Sequence, residues 1–411
     1  MIWLWIFSTF LETVALANQE AKLATVFIIF AQFTKTLLMV SAVFVFASVD
    51  SLLYAALIQG TVQTLILLIY LRSRFPGFWR QFDAKFFWEQ MRYAVPFGLA
   101  GILWMLQTDI HNYFVGYKFT TAEFAIYAYG CFEVPLVAML AESVTSVLIP
   151  RMSELQLADD KDEMIRLTSR AMQKLAFFYF PIYVFMMITA KTFIITLFTQ
   201  NYLASVSIFT INLTILPFSI LITDPIVRAY KELGRFLLGL RIVVLIGLIS
   251  VLSFGIEYLS LEGMITVAVV ALLTEKAVAE TIIIRRLGVG RQHLHLLVNV
   301  GKTAVISIVA GAATYFVYIN ISEYMLALGE RWAEQAFVTS KLSVLNFVGG
   351  GLVLALSALI FAPIYLLGSH LWGVIEEGEK QAVWNIFTKF TGWRRQPSMV
   401  EDVLPTPQQP L

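Results

Sequence analysis

Phe236–Ile256 reads FLLGLRIVVLIGLISVLSFGI, 21 residues with a single charge, Arg241. A helix rises 1.5 Å per residue, so about 20 apolar residues cross about 30 Å of hydrocarbon. The stretch reads as a membrane span, with Arg241 in the turn bordering the connection before it. Runs of the same kind fall at 1–17, 24–48, 51–71, 93–115, 123–149, 175–197, 203–227, 236–256, 262–284, 303–320 and 343–368, about eleven helices in all. Composition agrees: of 411 residues, 59% are hydrophobic and 14% charged, with mean hydropathy +0.77. Soluble domains are about 45–50% apolar and about 25% charged. The expected fold is an all-α polytopic membrane protein.

Several classes are set aside at once. Lys+Arg 29 against Asp+Glu 28 leaves a net charge of +1, so bulk charge gives no case for nucleic acid. Cys131 is the one cysteine, which excludes an intramolecular disulfide framework or a multi-cysteine metal site. His293 and His295 point to different faces of a helix, and neither a metal nor another cofactor is expected. The first run is not read as a secretory signal, although Ala15-Leu16-Ala17 looks like a cleavage site. No basic region precedes it, and Glu12 interrupts it.

Orientation follows from Lys and Arg in alternate connections. One side holds Lys22; Arg72, Arg74, Arg80, Lys85 and Arg92; Arg151, Lys161, Arg166, Arg170 and Lys174; Arg228, Lys231, Arg235 and Arg241; Arg285, Arg286, Arg291 and Lys302; and Lys380, Lys389, Arg394 and Arg395. That is 23 of the 29 basic residues; the other side has Lys118, Lys191, Arg331 and Lys341. The first side is expected to be cytoplasmic, with the C-terminus on it and Met1 outside. An internal repeat suggests why the count is odd. Ala17-Asn18-Gln19-Glu20-Ala21-Lys22 and Ala229-Tyr230-Lys231-Glu232-Leu233-Gly234-Arg235 share Ala-x-x-Glu followed by a basic residue, 212 residues apart, each entering a long apolar helix. Six spans of like orientation separate them, as a parallel repeat of six-helix halves requires. The partners of 93–200 would then precede Met1, and the chain is expected to be N-terminally truncated.

Within this layout, certain residues carry a resemblance. Tyr93-Ala94-Val95-Pro96-Phe97-Gly98 is followed by Asp109-Ile110-His111-Asn112 and Ala125-Ile126-Tyr127-Ala128-Tyr129-Gly130. Val147-Leu148-Ile149-Pro150-Arg151-Met152-Ser153-Glu154 and Leu197-Phe198-Thr199-Gln200-Asn201-Tyr202 come next. They resemble polysaccharide transporters, the O-antigen and lipopolysaccharide flippases of the MATE-like superfamily. The resemblance implies a two-lobe fold of twelve to fourteen helices, here with an incomplete N-terminal lobe. Residues 1–74 would be the remnant of that lobe and 75–92 an interfacial linker. A six-helix C-terminal lobe would occupy 93–284, with two additional helices in 303–368. Residues 369–411 would be a cytoplasmic interfacial helix and a disordered tail.

Charges inside spans are costly, so they form the candidate site list: Glu12, Lys35, Asp109, Glu133, Glu142, Asp224, Arg228, Glu275, Lys276 and Glu280. Asp224 with Arg228, and Lys276 with Glu280, are spaced i,i+4 and can neutralise each other on one helix face. Lys35 lies mid-span with no local acid, so it either pairs with another helix or meets an anionic substrate. Asp109, His111 and Asn112 cluster, with Glu133 at similar depth on the next helix. Two acids close together could hold a proton; a hydrogen-bonded structural knot is the alternative. The expected substrate-contacting residues are Lys35, Asp109, His111, Asn112, Glu133, Arg228 and Lys276. Gly349-Gly350-Gly351 is expected to allow close helix contact or flexibility.

The resemblance implies a flippase carrying a lipid-linked oligosaccharide across the cytoplasmic membrane. Membrane lipids and a coupling ion, H+ or Na+, would be its partners. A cation-coupled multidrug exporter of the same superfamily is the alternative. A membrane glycosyltransferase or ligase is less well supported, because the expected outer loop, 321–342, holds no paired-acid motif.

Overall fold

A computed structural model describes residues 2–18, 20–46, 48–77, 82–337 and 342–375. Among them there are thirteen α-helices, three short 3₁₀ helices and no strand. The chain is an all-α membrane protein. Seven helices are long and apolar enough to cross a membrane: α2 (Ala21–Phe46), α3 (Val49–Arg74), α6 (Pro135–Leu157), α7 (Lys161–Phe198), α10 (Lys231–Gly255), α12 (Val298–Phe337) and α13 (Leu342–Leu371). Further apolar helices are α1 (Ile2–Ala17), α4 (Ala84–Lys118) and α11 (Leu261–Leu287). The chain divides into two compact units, residues 1–97 and 98–411.

In the first unit, α1, α2 and α3 pack around Leu11, Ala15, Ala24, Leu67 and Tyr70. The α1–α2 turn is tied to the end of α3. Tyr70 donates to Glu20 Oε2 at 2.8 Å, and Arg74 pairs with Glu20 at 2.9 Å. Gln59, buried on α3, donates to the Ala31 carbonyl at 3.0 Å.

In the second unit, α7 is the central post. Tyr179 on α7 donates to the Val137 carbonyl of α6 at 2.8 Å. Tyr365 of α13 donates to the Phe177 carbonyl at 2.7 Å, and Thr192 meets Tyr318 of α12 at 2.6 Å. The glycine run resolves toward close contact: a Cβ on Gly350 would strike the Thr196 side chain, and one on Gly349 would come 2.9 Å from the Leu326 carbonyl.

Three expected segments differ. The run 123–149 is two helices, α5 (Thr121–Gly130) and α6, with Pro135 opening α6 where its missing N–H costs nothing. The run 203–227 is broken as well. It forms α8 (Ser205–Leu213), a 3₁₀ turn at Leu216–Ile220 opened by Pro217, and α9 (Asp224–Ala229) opened by Pro225. The expected outer loop 321–342 is helical as far as Phe337. Its Glu323, Glu330, Arg331 and Glu334 are good helix formers, so α12 continues past the apolar stretch. Residues 376–411, most of the expected interfacial helix and tail, lie outside the described residues, as do 78–81 of the expected linker.

Candidate functional site

The prolines that break 203–227 set up the site. In an unbroken helix the carbonyl of Leu221 would receive the N–H of residue 225, but that residue is Pro225. Lys276 on α11 points its Nζ at this carbonyl instead, at 3.4 Å. Thr223, in the same break, donates to Glu280 Oε1 at 3.0 Å. Lys276 and Glu280 thus each reach across to the broken segment, a use their i,i+4 spacing does not reveal.

Arg241 sits at the centre of this region. Its Nε donates to Glu275 Oε1 at 3.1 Å, and Nη1 donates to the Ala100 carbonyl of α4 at 3.1 Å. Nη2 lies 3.8 Å from Asp224 Oδ1, and the guanidinium stands over the Trp104 ring, 5.2 Å from its centroid. Asp224 also meets Arg228 through Oδ2 at 3.5 Å. Arg241 and Glu275 are 12% and 6% exposed, Asp224 44%. A guanidinium suits this place because its planar fork serves several acceptors at once while its face stacks on an aromatic ring.

Depth separates this pair from an interfacial one. Arg241 lies ten residues beyond Lys231, about 15 Å along α10. Glu275 lies fourteen residues from Leu261 and twelve from Leu287, about 21 and 18 Å from the ends of α11. The pair is therefore mid-helix in both, whereas the sequence reading put Arg241 at the cytoplasmic border. Asp224, Arg228, Arg241, Glu275, Lys276 and Glu280 make three acids and three bases.

The other candidates are placed differently. His111 is buried, with Nδ1 2.8 Å from the hydroxyl of buried Tyr127 on α5. Asn112 is half-buried; Asp109 and Glu133 are exposed. Among the described residues, no hydrogen bond or ion pair joins the two acids to each other or to His111. Lys35 is exposed on α2 in the first unit, and among the described residues it makes no ion pair or hydrogen bond. Of the seven expected substrate contacts, only Arg228 and Lys276 belong to the mid-helix cluster.

Sequence reasoning passed over Arg241 and chose Lys276 and Arg228 ahead of Glu275. A signal was available. The residues three and four places from Arg241 on either side are Leu237, Leu238, Val244 and Leu245; those around Glu275 are Ala271, Leu272, Val278 and Ala279. Neither charge has a partner on its own helix, so each needs one from another.

Residues 5–207 match a family described as polysaccharide biosynthesis protein. Lys35, Asp109, His111, Asn112 and Glu133 fall within the matched stretch, and the Arg241 cluster falls beyond it. No curated protein matches the chain.

Proposed function

We propose, from the match of residues 5–207 to the polysaccharide biosynthesis protein family, that the chain is a transporter that flips a lipid-linked oligosaccharide across the cytoplasmic membrane. The observation that carries this reading is Arg241, held at the middle of two long helices by Glu275 and Asp224. Charges this deep in apolar helices are expensive and serve pathways more often than architecture. A lipid-linked oligosaccharide carries its negative charge on a pyrophosphate between a prenyl chain and a sugar. Arginine matches phosphate oxygens in two-pronged geometry, so such a headgroup can take the place that the two carboxylates occupy. Lys276 and Arg228, one helix turn or less away in their own elements, would supply further positive charge. Lys35, Asp109, His111, Asn112 and Glu133 are proposed to line the route at other depths, with H+ or Na+ as the coupling ion.

The reading as transporter rather than enzyme rests on the same point: the charges that the helices gather lie within apolar helices. The proposed setting is the inner membrane, with the C-terminus cytoplasmic. Expression of the 411-residue chain in a flippase-deficient strain tests this directly. Restored surface glycan is expected. If correctly inserted protein gives no glycan while a known flippase does, the proposal fails.

A further inference from the structure

Glu275 is only half engaged. Oε1 receives the Arg241 Nε–H at 3.1 Å, while Oε2 is shut off from solvent and has no hydrogen-bond partner. A buried carboxylate oxygen without a donor is costly, and among the described residues Glu275 is the one acid with such an atom, the other unpartnered buried atoms lying in the amides of Gln59, Gln107 and Asn346 and the Ser369 hydroxyl. The charged groups around Glu275 are Arg241 on α10, Asp224 and Arg228 on α9, and Lys276 and Glu280 on α11 itself. Residues 98–107 of α4, which bring Ala100 and Trp104, carry no titratable side chain, nor does α8, which also packs on α11. α7 shares with α11 the apolar cluster that holds Ala279, Ile283 and Leu287.

This set is balanced, three acids against three bases, and the balance restricts what an arriving ligand can do. A metal cation at Oε2 would add positive charge beside a guanidinium and would find no second acid placed for it. An anion on Arg241 would compete with Glu275 for the same donors. Once displaced, Glu275 would be a buried carboxylate beside a new anion with no cation between them, and an unpaired charge buried there is costly unless it is neutralised.

We propose that Glu275 is the proton-binding residue of the transport cycle, taking up one proton when the pyrophosphate of the substrate replaces it on Arg241. This deepens the transporter reading above and rests on it. The only bond made is O–H at the Glu275 carboxyl, with the proton drawn from the aqueous phase to which the site is then open. Release of the anion reverses the exchange: the proton leaves and the Glu275–Arg241 pair re-forms. Anion entry and proton uptake are thereby one event, so the proton crosses with the anion and cancels one of its two charges on the way, with no separate ion site. The roles divide cleanly: Arg241 holds whichever anion is present, and Glu275 keeps the site closed when none is.

Calorimetric titration of the purified 411-residue chain in detergent tests the proposal. The probe is a pyrophosphate diester joining a short prenyl chain to one sugar, which stays doubly charged between pH 5 and 8. In buffers of differing ionisation enthalpy, the wild type should take up close to one proton per ligand bound. Its affinity should fall by up to tenfold per pH unit as pH rises. Glu275→Gln, permanently neutral, should bind with no proton exchange and with an affinity independent of pH. Glu275→Asp should retain the uptake. Binding by the wild type without proton uptake, or equal uptake in wild type and Glu275→Gln, overturns the proposal and leaves the transporter reading intact. No binding to the wild type overturns both. If Glu275→Gln does not fold, the wild-type and Glu275→Asp titrations still decide, because uptake absent from both contradicts the exchange.

Discussion

Asp109 and Glu275 are both carboxylates within long helices of the second unit, and they are treated in opposite ways. Asp109 is exposed on α4 and, among the described residues, takes neither a hydrogen bond nor an ion pair. Glu275 is 6% exposed on α11 and lies 3.1 Å from a guanidinium on the neighbouring helix. A similar contrast runs through their surroundings. Near Asp109 the buried polar contact holds no carboxylate and no guanidinium, only His111 with Tyr127. Around Glu275 it is ionic and spans three helices. The lesson is that polar residues clustered in sequence need not gather in space, because neighbours on a helix fan out around it. Arg241 and Glu275, each without a partner on its own helix, find one across helices, whereas Lys35, equally isolated in sequence, stays exposed.

The contrast can be broken in order of expected effect. Arg241→Ala leaves Glu275 buried without its cation and Asp224 with Arg228 alone; removing one partner of a buried pair costs about 3–5 kcal/mol. Folded yield and thermal unfolding in detergent should show the loss, and a stability equal to wild type would place the pair in a more solvated setting than described. Glu275→Gln should cost less, about 1.5–3 kcal/mol, because Asp224 still answers Arg241 and the amide oxygen can still accept from Nε. Tyr127→Phe removes the hydroxyl from His111 and should cost about 1 kcal/mol, with the same unfolding assay as the check. Asp109→Asn and Glu133→Gln should lie within about 0.5 kcal/mol of wild type, as expected for exposed groups without partners. A large loss at either would show that the acids on α4 and at the α5–α6 connection are held after all.

Much of the fold is legible in the apolar runs. FLLGLRIVVLIGLISVLSFGI forms α10, and the spans at 51–71, 175–197 and 343–368 lie inside α3, α7 and α13. Breaks were harder to see. Hydropathy averaged over a span does not mark Cys131–Val134 or the turns at Leu216–Thr223, since Glu133 is the one charge in them and most of the other residues are as apolar as their flanks. The marks that were present are the prolines: Pro135, Pro217 and Pro225 stand at helix starts, whereas Pro181 and Pro363 sit inside continuous helices. Proline alone does not decide, because a neighbouring group must serve the freed carbonyl, as Lys276 serves Leu221.

The site was legible only in part. The list of in-span charges included Glu275, Asp224, Lys276 and Glu280, but local i,i+4 pairing ranked them by partners on the same helix. Arg241 was counted with the connection before it, because a basic residue six places into an apolar run looks like a border. Its partner is 34 residues away on another helix, and only the packing of α10 on α11 brings the two together.

The double variant Arg241→Met with Glu275→Leu separates architecture from transport. Replacing both members of a buried pair by apolar residues of similar volume is often neutral or stabilising, so this protein should fold and insert at wild-type level. The measurement is surface glycan in a flippase-deficient strain expressing it at that level. The account predicts that export is abolished, because the mid-helix guanidinium that grips the anion with two prongs is gone and Lys276 there offers only a point charge; export equal to wild type would contradict it.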